Sequence, residues 1–455
     1  MKSLKPLNNF VACLASLTVG SVYAANNDPL FNLTLEELSK ITVVTAASGF
    51  EQSISRAPAT VTVITDSQWQ TMGARTLSDV LVAVPGVHVS EPQVQYKHKK
   101  FIIRGLSGDN SSHIKLLIDG EVVENFQDSG LLNGFSLPLN SFKRIEIIKG
   151  PGSAIYGADA FGGVVNLVSY SPQEIKNSFG ARTGSFNTHD IFAKWALSLG
   201  EVNLSLTMDY SHTNDDKNRV VSSDLQSTFD SIFGTQASNA PGPIDESSEM
   251  LFAIAKLQWK QWDLTYQKHD IYDIGVAGGI AQALDPGGTA NTRNEQLSIS
   301  YDLSDFVAGD LTAAFHYKKQ WNDSYLNVLP AGSVVPIGAD GNLDFSTPTT
   351  VTLFSEGYIG TPSSGGNNLA YRLTHVSRLA SNHLFRWEVG YEKLRFNTRE
   401  TKNFGPSVLM GNETVVDGTL TDVTGTPYIY LPNVEREFYY LSMQDEWQVT
   451  PEVQL

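Results

Sequence analysis

A membrane β-barrel led by a compact α+β domain is the fold that the sequence predicts, and three observations predict it. From residue 178 onward, segments about ten residues long alternate apolar and polar side chains, the period of strands with one apolar face. The connections between these segments are short and long in turn. Residues 50–170 lack that alternation and mix short helical patterns with strands.

The alternation is regular. Val202, Leu204, Leu206, Met208 and Tyr210 share one face, and Asn203, Ser205, Thr207 and Asp209 the other. Leu297, Ile299, Tyr301 and Leu303 repeat the design, as do Leu311, Ala313, Phe315 and Tyr317, and then Phe385, Trp387, Val389 and Tyr391. Further strands are expected at 178–184, 188–199, 249–259, 262–269, 369–379 and 436–447. A water-soluble sandwich has the same period. Segments of about ten residues, however, match a tilted strand crossing a bilayer. A face that is polar along its whole length suits a wet lumen. Short connections near 200, 260, 306–309 and 381 alternate with long ones at 214–247, 273–292, 323–368 and 398–434. Tight turns on one side and long loops on the other indicate an outer-membrane barrel. About ten strands are expected. Residues 449–455 read as a turn and the start of another strand, so the barrel is expected to be incomplete.

Composition agrees. Lys2 and Lys5, an apolar run from Phe10 to Val22 and small residues before Ala25 form a secretory signal, with cleavage expected after Ala24. The apolar run is too short to span a bilayer. The single cysteine, Cys13, lies inside it, so the mature chain has neither disulfides nor thiol chemistry. Without Lys2 and Lys5 the balance is 30 basic to 48 acidic residues, a sign that disfavours nucleic acid.

The leading domain has its own signals. Residues 56–65 read as a strand entering at Pro58. Residues 66–73 and 76–86 read as short helices, capped by Asp66 and Thr76 and stopped at Pro85-Gly86. Residues 101–105 and 114–123 are strands, the second bent by Asp119-Gly120, a favoured hairpin pair. The glycine-rich stretch 149–163 resembles a phosphate loop only in composition. Pro151 removes one N–H at its turn, and Gly157 and Gly162-Gly163 leave no room for the helix that such a loop needs.

Five ordered blocks, APATVTVIT, TLSDVLVAVPGV, FIIRG, LLIDGEVV and IEIIKGPGSAIYGADAFGGVVNLV, together resemble the plug domain of TonB-dependent outer-membrane receptors. The resemblance implies a 22-stranded barrel occluded by the plug, of which this chain holds the plug and somewhat under half of the barrel. The domains are then a signal at 1–24, a periplasmic segment at 25–49, the plug at 50–171 and barrel strands at 172–455. Within a plug, the glycines serve close passage: Gly150, Pro151 and Gly152 turn the chain, and Gly157, Gly162 and Gly163 let it run against its neighbours.

The resemblance also assigns candidate residues. TonB, the inner-membrane energy transducer, pairs edge to edge with a short extended segment. Here that is Ile41, Thr42, Val43, Val44, Thr45 and Ala46, up to Ala47, although Thr42–Thr45 also read as a first plug strand. Arg104, followed by Gly105, matches an arginine that faces acidic residues of the barrel wall. Lys149 stands where a second arginine is commoner, and it lacks the bidentate fork. Outward plug loops at 91–100 and 125–135 suggest ligand contacts from Tyr96, Lys97, His98, Phe126, Gln127 and Asp128.

The implied function is import of a scarce ligand, a ferric siderophore first, with haem, a corrinoid or an oligosaccharide as alternatives. A monomer in outer-membrane lipid, with no cofactor, is expected. A basic first plug loop favours an anionic chelate. The four long loops, with 16 acidic residues against Lys217, Arg219, Arg399 and Lys402, disfavour one. Asp215 and Asp216, or Asp245 and Glu246, are either calcium ligands or solvated charges. A passive porin has no use for a plug, and stretch 25–40 is too short for an added signalling domain. No constellation for an enzyme stands out.

Overall fold

The computed structural model describes residues 42–43, 52–53, 60–90, 100–106, 111, 113–123, 125–126, 136–150, 160–380, 382–450 and 453–454. Two short strands, β1 (Thr42–Val43) and β2 (Gln52–Ser53), pair antiparallel ahead of the plug. The plug contains β3 (Val61–Thr65), α1 (Asp66–Met72), α2 (Leu77–Leu81), β4 (Val87–Ser90), β5 (Lys100–Ile103), β6 (Ile114–Ile118), β7 (Glu121–Val122), β8 (Phe142–Ile148) and β9 (Gly163–Ser169). Its sheet runs β3-β8-β9-β6-β7, with β6 and β9 parallel, while β4 and β5 form a separate hairpin.

Local sequence explains the boundaries. The cap of α1 is Thr65 rather than the expected Asp66, because Gln68 reaches back to the Thr65 N–H at 2.9 Å. Asp66 becomes the first helical residue, and its carboxylate is used by the Tyr170 hydroxyl at 2.5 Å. Gly73, at φ +71°, ends the helix. Thr76 caps α2 as expected, with Asp79 accepting the Thr76 N–H at 2.9 Å. Gly162 and Gly163 have the tight surroundings foreseen for them. A Cβ would lie 2.7 Å from the His113 carbonyl at the first and 2.7 Å from the Ile148 carbonyl at the second.

The wall begins with β10 (Ser178–Gly184), β11 (Thr188–Leu199) and β12 (Val202–Thr213). A long loop follows with β13 (Val220–Val221), α3 (Leu225–Phe233) and β14 (Gly242–Pro243). Then come β15 (Ser248–Trp259), β16 (Trp262–Gly275), β17 (Thr289–Leu303) and β18 (Gly309–Leu329), with β19 (Ser333–Ile337) and β20 (Thr350–Phe354) in the next loop. The wall continues with β21 (Tyr358–Ala380) and β22 (His383–Lys402), passes β23 (Val415–Val416) and β24 (Thr421–Asp422), and ends in β25 (Val434–Thr450) and β26 (Val453–Gln454). Neighbouring wall strands pair antiparallel in chain order, and the sheet is open, with β10 and β26 at its edges.

Burial separates barrel from sandwich. The apolar face is the exposed one: Leu206 is 42% open and Tyr439 76%, whereas Thr207 and Asp209 are 4% open. A soluble sandwich would have these reversed. Trp259, Trp262, Tyr301 and Trp447 gather at the short-turn end, the position of an interfacial aromatic girdle.

The long connections need correction. The expected loops 273–292, 323–368 and 398–434 shrink to 276–288, 330–357 and 403–433 because the strands continue. The 23 residues of β21, at about 3.3 Å each, far exceed roughly 30 Å of hydrocarbon. Their upper part, Thr361 to Asn368, is polar on both faces, so alternation disappears where the strand leaves lipid. The loops are packed as well. Phe229 of α3 joins Leu329, Val335, Ile337, Phe354, Tyr358 and Val416 in one cluster. Asp224 caps α3 by accepting the Ser227 N–H at 2.8 Å.

Replacing Leu206 with arginine puts a charge on the lipid face and is expected to cost about 2–4 kcal/mol. Urea unfolding from bilayers measures this, with Leu206→Val staying close to wild type.

Candidate functional site: the seam between plug and wall

The hairpin β6–β7 is the plug's main attachment. Asp119 and Gly120 adopt φ +52° and +82°, the left-handed pair of a tight turn that an Asp-Gly sequence favours. The turn projects two carboxylates to the wall. Asp119 accepts the Ser169 N–H at 2.8 Å and its hydroxyl at 2.5 Å, and pairs with Lys256 of β15 at 2.9 Å. Glu121 is held by both arms of Arg372 from β21, at 3.0 and 3.4 Å. His316 of β18 stands 3.3 Å from the same carboxylate. Arg372 also donates to the Tyr440 hydroxyl at 3.2 Å and lies 3.8 Å from Glu388. One plug hairpin thus ties together β15, β18, β21, β22 and β25.

The attachment continues downstream. The Phe126 N–H donates to the Gln320 side chain at 2.8 Å, and its ring lies under Lys318 at 4.9 Å and packs on Leu394 and Phe396. Across the plug, Asn140 and Ser141 donate to Asp209 of β12 at 2.5 and 3.1 Å. Arg75 reaches Asp190 of β11 at 3.4 Å. A cavity of about 310 Å³ opens on this side, lined by Arg75, Asp79, Arg182, Asp190 and Asp209 among others. Between these polar seams the contact is apolar. Phe252 and Ile254 of β15 enter the plug core, with the Phe252 ring 5.7 Å from Phe142.

Burial pushes the Asp119 carboxyl up, but Lys256 and the two Ser169 bonds outweigh it and hold the group below its usual range. A depressed carboxyl stabilises the docked plug above its unfolded value of about 3.9, and the contribution is lost as pH falls through the folded value.

Arg104 and Lys149 both contact Thr60. Arg104 and Gly105, at φ +52° and +78°, form the turn that ends β5, and the guanidinium donates to the Thr60 hydroxyl at 3.3 Å. The Lys149 N–H donates to the Thr60 carbonyl at 3.0 Å, and its ammonium to the Pro85 carbonyl at 3.2 Å. Gly150 beside the arginine takes φ +151°, a backbone conformation that residues other than glycine rarely adopt. Among the described residues neither cation meets a carboxylate. The seam the structure does describe carries both polarities, with plug acids on wall bases at Asp119–Lys256 and Glu121–Arg372 and a plug base on a wall acid at Arg75–Asp190.

Phe126, expected at an open ligand surface, is instead buried against the wall, since its ring finds an apolar pocket there. Thr42 and Val43 lie in the β1–β2 pair. Ile41, Val44, Thr45, Ala46, Ala47, Tyr96, Lys97, His98, Gln127, Asp128, Pro151, Gly152 and Gly157 lie outside the described residues. Of the possible calcium ligands, Asp245 is partnered by Lys217 at 2.7 Å, Glu246 by Arg219 at 2.9 Å and Asp216 by the Asn218 N–H at 2.9 Å, while Asp215 lies 4.0 Å from Arg219. Sequence reasoning missed Glu121, Lys256 and Arg372. The available signal was a cation at an inward position of a strand, but its partner is 251 residues away in the case of Arg372.

Residues 53–164 match the family model of the TonB-dependent receptor plug domain. Solved structures are similar in fold. FpvA of Pseudomonas aeruginosa, solved with a heterologous pyoverdine and iron, matches at TM-score 0.59 and 15% identity over 90% of this chain and 52% of that one. BauA, the ferric preacinetobactin receptor of Acinetobacter baumannii, matches at 0.56 and 14% over 90% and 58%. The copper transporter OprC matches at 0.56 and 13% over 86% and 53%. At these identities the likeness is one of fold. The chain spans little more than half the length of these structures.

Breaking the central pair with Glu121→Gln leaves Arg372 with Tyr440 and the more distant Glu388, at an expected cost of about 1–3 kcal/mol to plug docking. Hydrogen exchange of residues 114–123 reads this, and the reciprocal Glu121→Arg, Arg372→Glu double swap recovers part of it. Acidification below about pH 4 is expected to raise exchange in the same hairpin, and Asp119→Asn to flatten that pH response.

Proposed function

We propose that this chain, a TonB-dependent receptor by its plug domain and barrel fold, takes up a scarce small ligand across the outer membrane with energy delivered through TonB. The single observation that carries the proposal is the seam. A plug tied to its wall by Asp119–Lys256, Glu121–Arg372 and the Phe142–Phe252 contact obstructs passive diffusion. Passage then requires work on the plug, which an open porin does not. The family is one of receptors and transporters, not of enzymes, and its members are outer-membrane proteins of Gram-negative bacteria.

Energy enters at residues Ile41–Ala46. The β-branched run Ile41 to Thr45 is suited to an extended edge, and Thr42 and Val43 use one edge for Gln52 and Ser53. Among the described residues β1 pairs with β2 alone, and its other edge is the one proposed to take a strand from TonB. Pull on this segment reaches the plug through residues 54–60, where Thr60 contacts both Arg104 and Lys149. Those two cations are the junction at which the pull is felt first.

The ligand is a ferric siderophore in this reading. The pyoverdine complex of FpvA and the ferric preacinetobactin receptor BauA support that class, while OprC, a copper transporter, shares the fold. Tyr96, Lys97, His98, Gln127 and Asp128 are the plug residues proposed to meet it.

Uptake of radiolabelled ferric siderophores by cells expressing the gene, with and without a protonophore, tests both halves. Protonophore-sensitive uptake that disappears in the Val43→Pro, Val44→Pro variant is the expected result. Uptake indifferent to the protonophore overturns the coupling, and coupled cells that take up no iron chelate overturn the ligand class.

A further inference from the structure

We propose a divalent transition-metal site of the copper type at the outward rim of β11 and β12, built from His189, His212, Asn187 and Asn214. It is independent of the import reading. The sequence places Asn187-Thr188-His189 at the start of β11 and His212-Thr213-Asn214 at the end of β12. The strands are antiparallel with His189 directly opposite His212, so the two tripeptides face each other as a local two-fold pair. The register extends past the ladder: the Thr188 and Thr213 hydroxyls are 3.0 Å apart, and the Asn214 N–H donates to the Phe186 carbonyl at 3.0 Å.

Four donor groups converge. His189 Nε2 is 2.9 Å from Asn187 Oδ1, the Asn187 amide nitrogen is 3.5 Å from His212 Nε2, and that nitrogen is 3.1 Å from Asn214 Oδ1. Asn187 reaches between the rings because Phe186 and Asn187 take φ +61° and +54°, the left-handed pair of a tight turn. Two imidazole nitrogens and two amide oxygens form an N₂O₂ set. Such a set suits the tetragonal geometry of Cu²⁺, which also binds most tightly among the divalent first-row ions. A calcium ion prefers an all-oxygen shell and is disfavoured.

The remaining ring nitrogen supports the assignment. His189 Nδ1 lies 3.4 Å from the Thr183 hydroxyl, so with metal on Nε2 the Nδ1–H has an acceptor in place. Each imidazole coordinates through Nε2 as its Nδ1–H tautomer, and no redox step is involved. The site lies on the outward face above Ile191 and Tyr210, at the root of the 214–247 loop, and His189 is exposed. A bound ion would clip the two strands where that loop departs.

The test is a titration of the full chain in detergent with Cu²⁺ near neutral pH, read by electron paramagnetic resonance and by thermal shift. One saturable ion per chain with coupling to two imidazole nitrogens is expected, together with a metal-dependent rise in melting temperature. His189→Gln and His212→Gln keep polar bulk at exposed positions. Each is expected to weaken binding at least about tenfold and to lose one nitrogen from the spectrum. Both variants should melt like wild type without metal. Saturable binding that survives the double variant, or competition by equimolar Ca²⁺, overturns the proposal, as does the absence of a two-nitrogen signal in wild type.

Discussion

Hydrocarbon offers no partner to a backbone N–H or C=O, so a sheet that crosses it satisfies them by strand pairing, as the wall strands from β11 to β22 are paired along both edges. The rest of this structure follows from that demand. Paired strands put alternate residues on opposite faces, and lipid selects the apolar face for the outside. Leu206 and Tyr439 are open for this reason, and the inward face carries Thr207, Asp209, Gln267 and Gln320. An interior of that kind cannot collapse on itself. It is filled by a domain that brings its own core, assembled around Leu77, Leu116, Phe142 and Ile145.

The fit of plug to wall uses two kinds of contact for two purposes. Phe252 and Ile254 replace polar residues at inward positions of β15, so the plug core extends across the seam there. That contribution scales with apolar area and has little directionality. The pairs Asp119–Lys256 and Glu121–Arg372 are directional. Desolvation offsets much of the attraction in a partly buried ion pair, so their main effect is to set where the hairpin sits. A plug held this way is positioned accurately without being held irreversibly, which suits a domain on which work must be done. Arg104 and Lys149 contact Thr60 and Pro85 within the plug.

The loops are more than solvated connections. Asp224 and Asp230 organise α3 through Ser227, Gln226, Thr235 and Ser238. Asp285 gathers the Gly287, Gly288 and Asn327 N–H groups. Many of the acidic residues that make the mouth negative are therefore fixed in turns and caps, with their charge directed inward to backbone donors. Net charge alone is a poor guide to what such a surface attracts.

Some of this was determined by the sequence alone. Period-two alternation reports a strand with two unlike surroundings, so each lipid-facing segment from β10 to β25 was legible, and residues 449–455 gave away the start of β26. Asp119-Gly120 was legible because a left-handed turn has local chemical requirements. Gly162-Gly163 was legible because close packing excludes a side chain. The tertiary structure decided what depends on distant partners. The upper halves of β18, β21 and β22 carry polar residues on both faces, so only pairing with neighbours reveals them as strands. The partner of the Asp66 carboxylate is Tyr170, over a hundred residues later. Glu121 and Arg372 meet across 251 residues, and no local pattern records which carboxylate a buried guanidinium will find. Local rules act through neighbours in the chain, while the seam between plug and wall is made by neighbours in space.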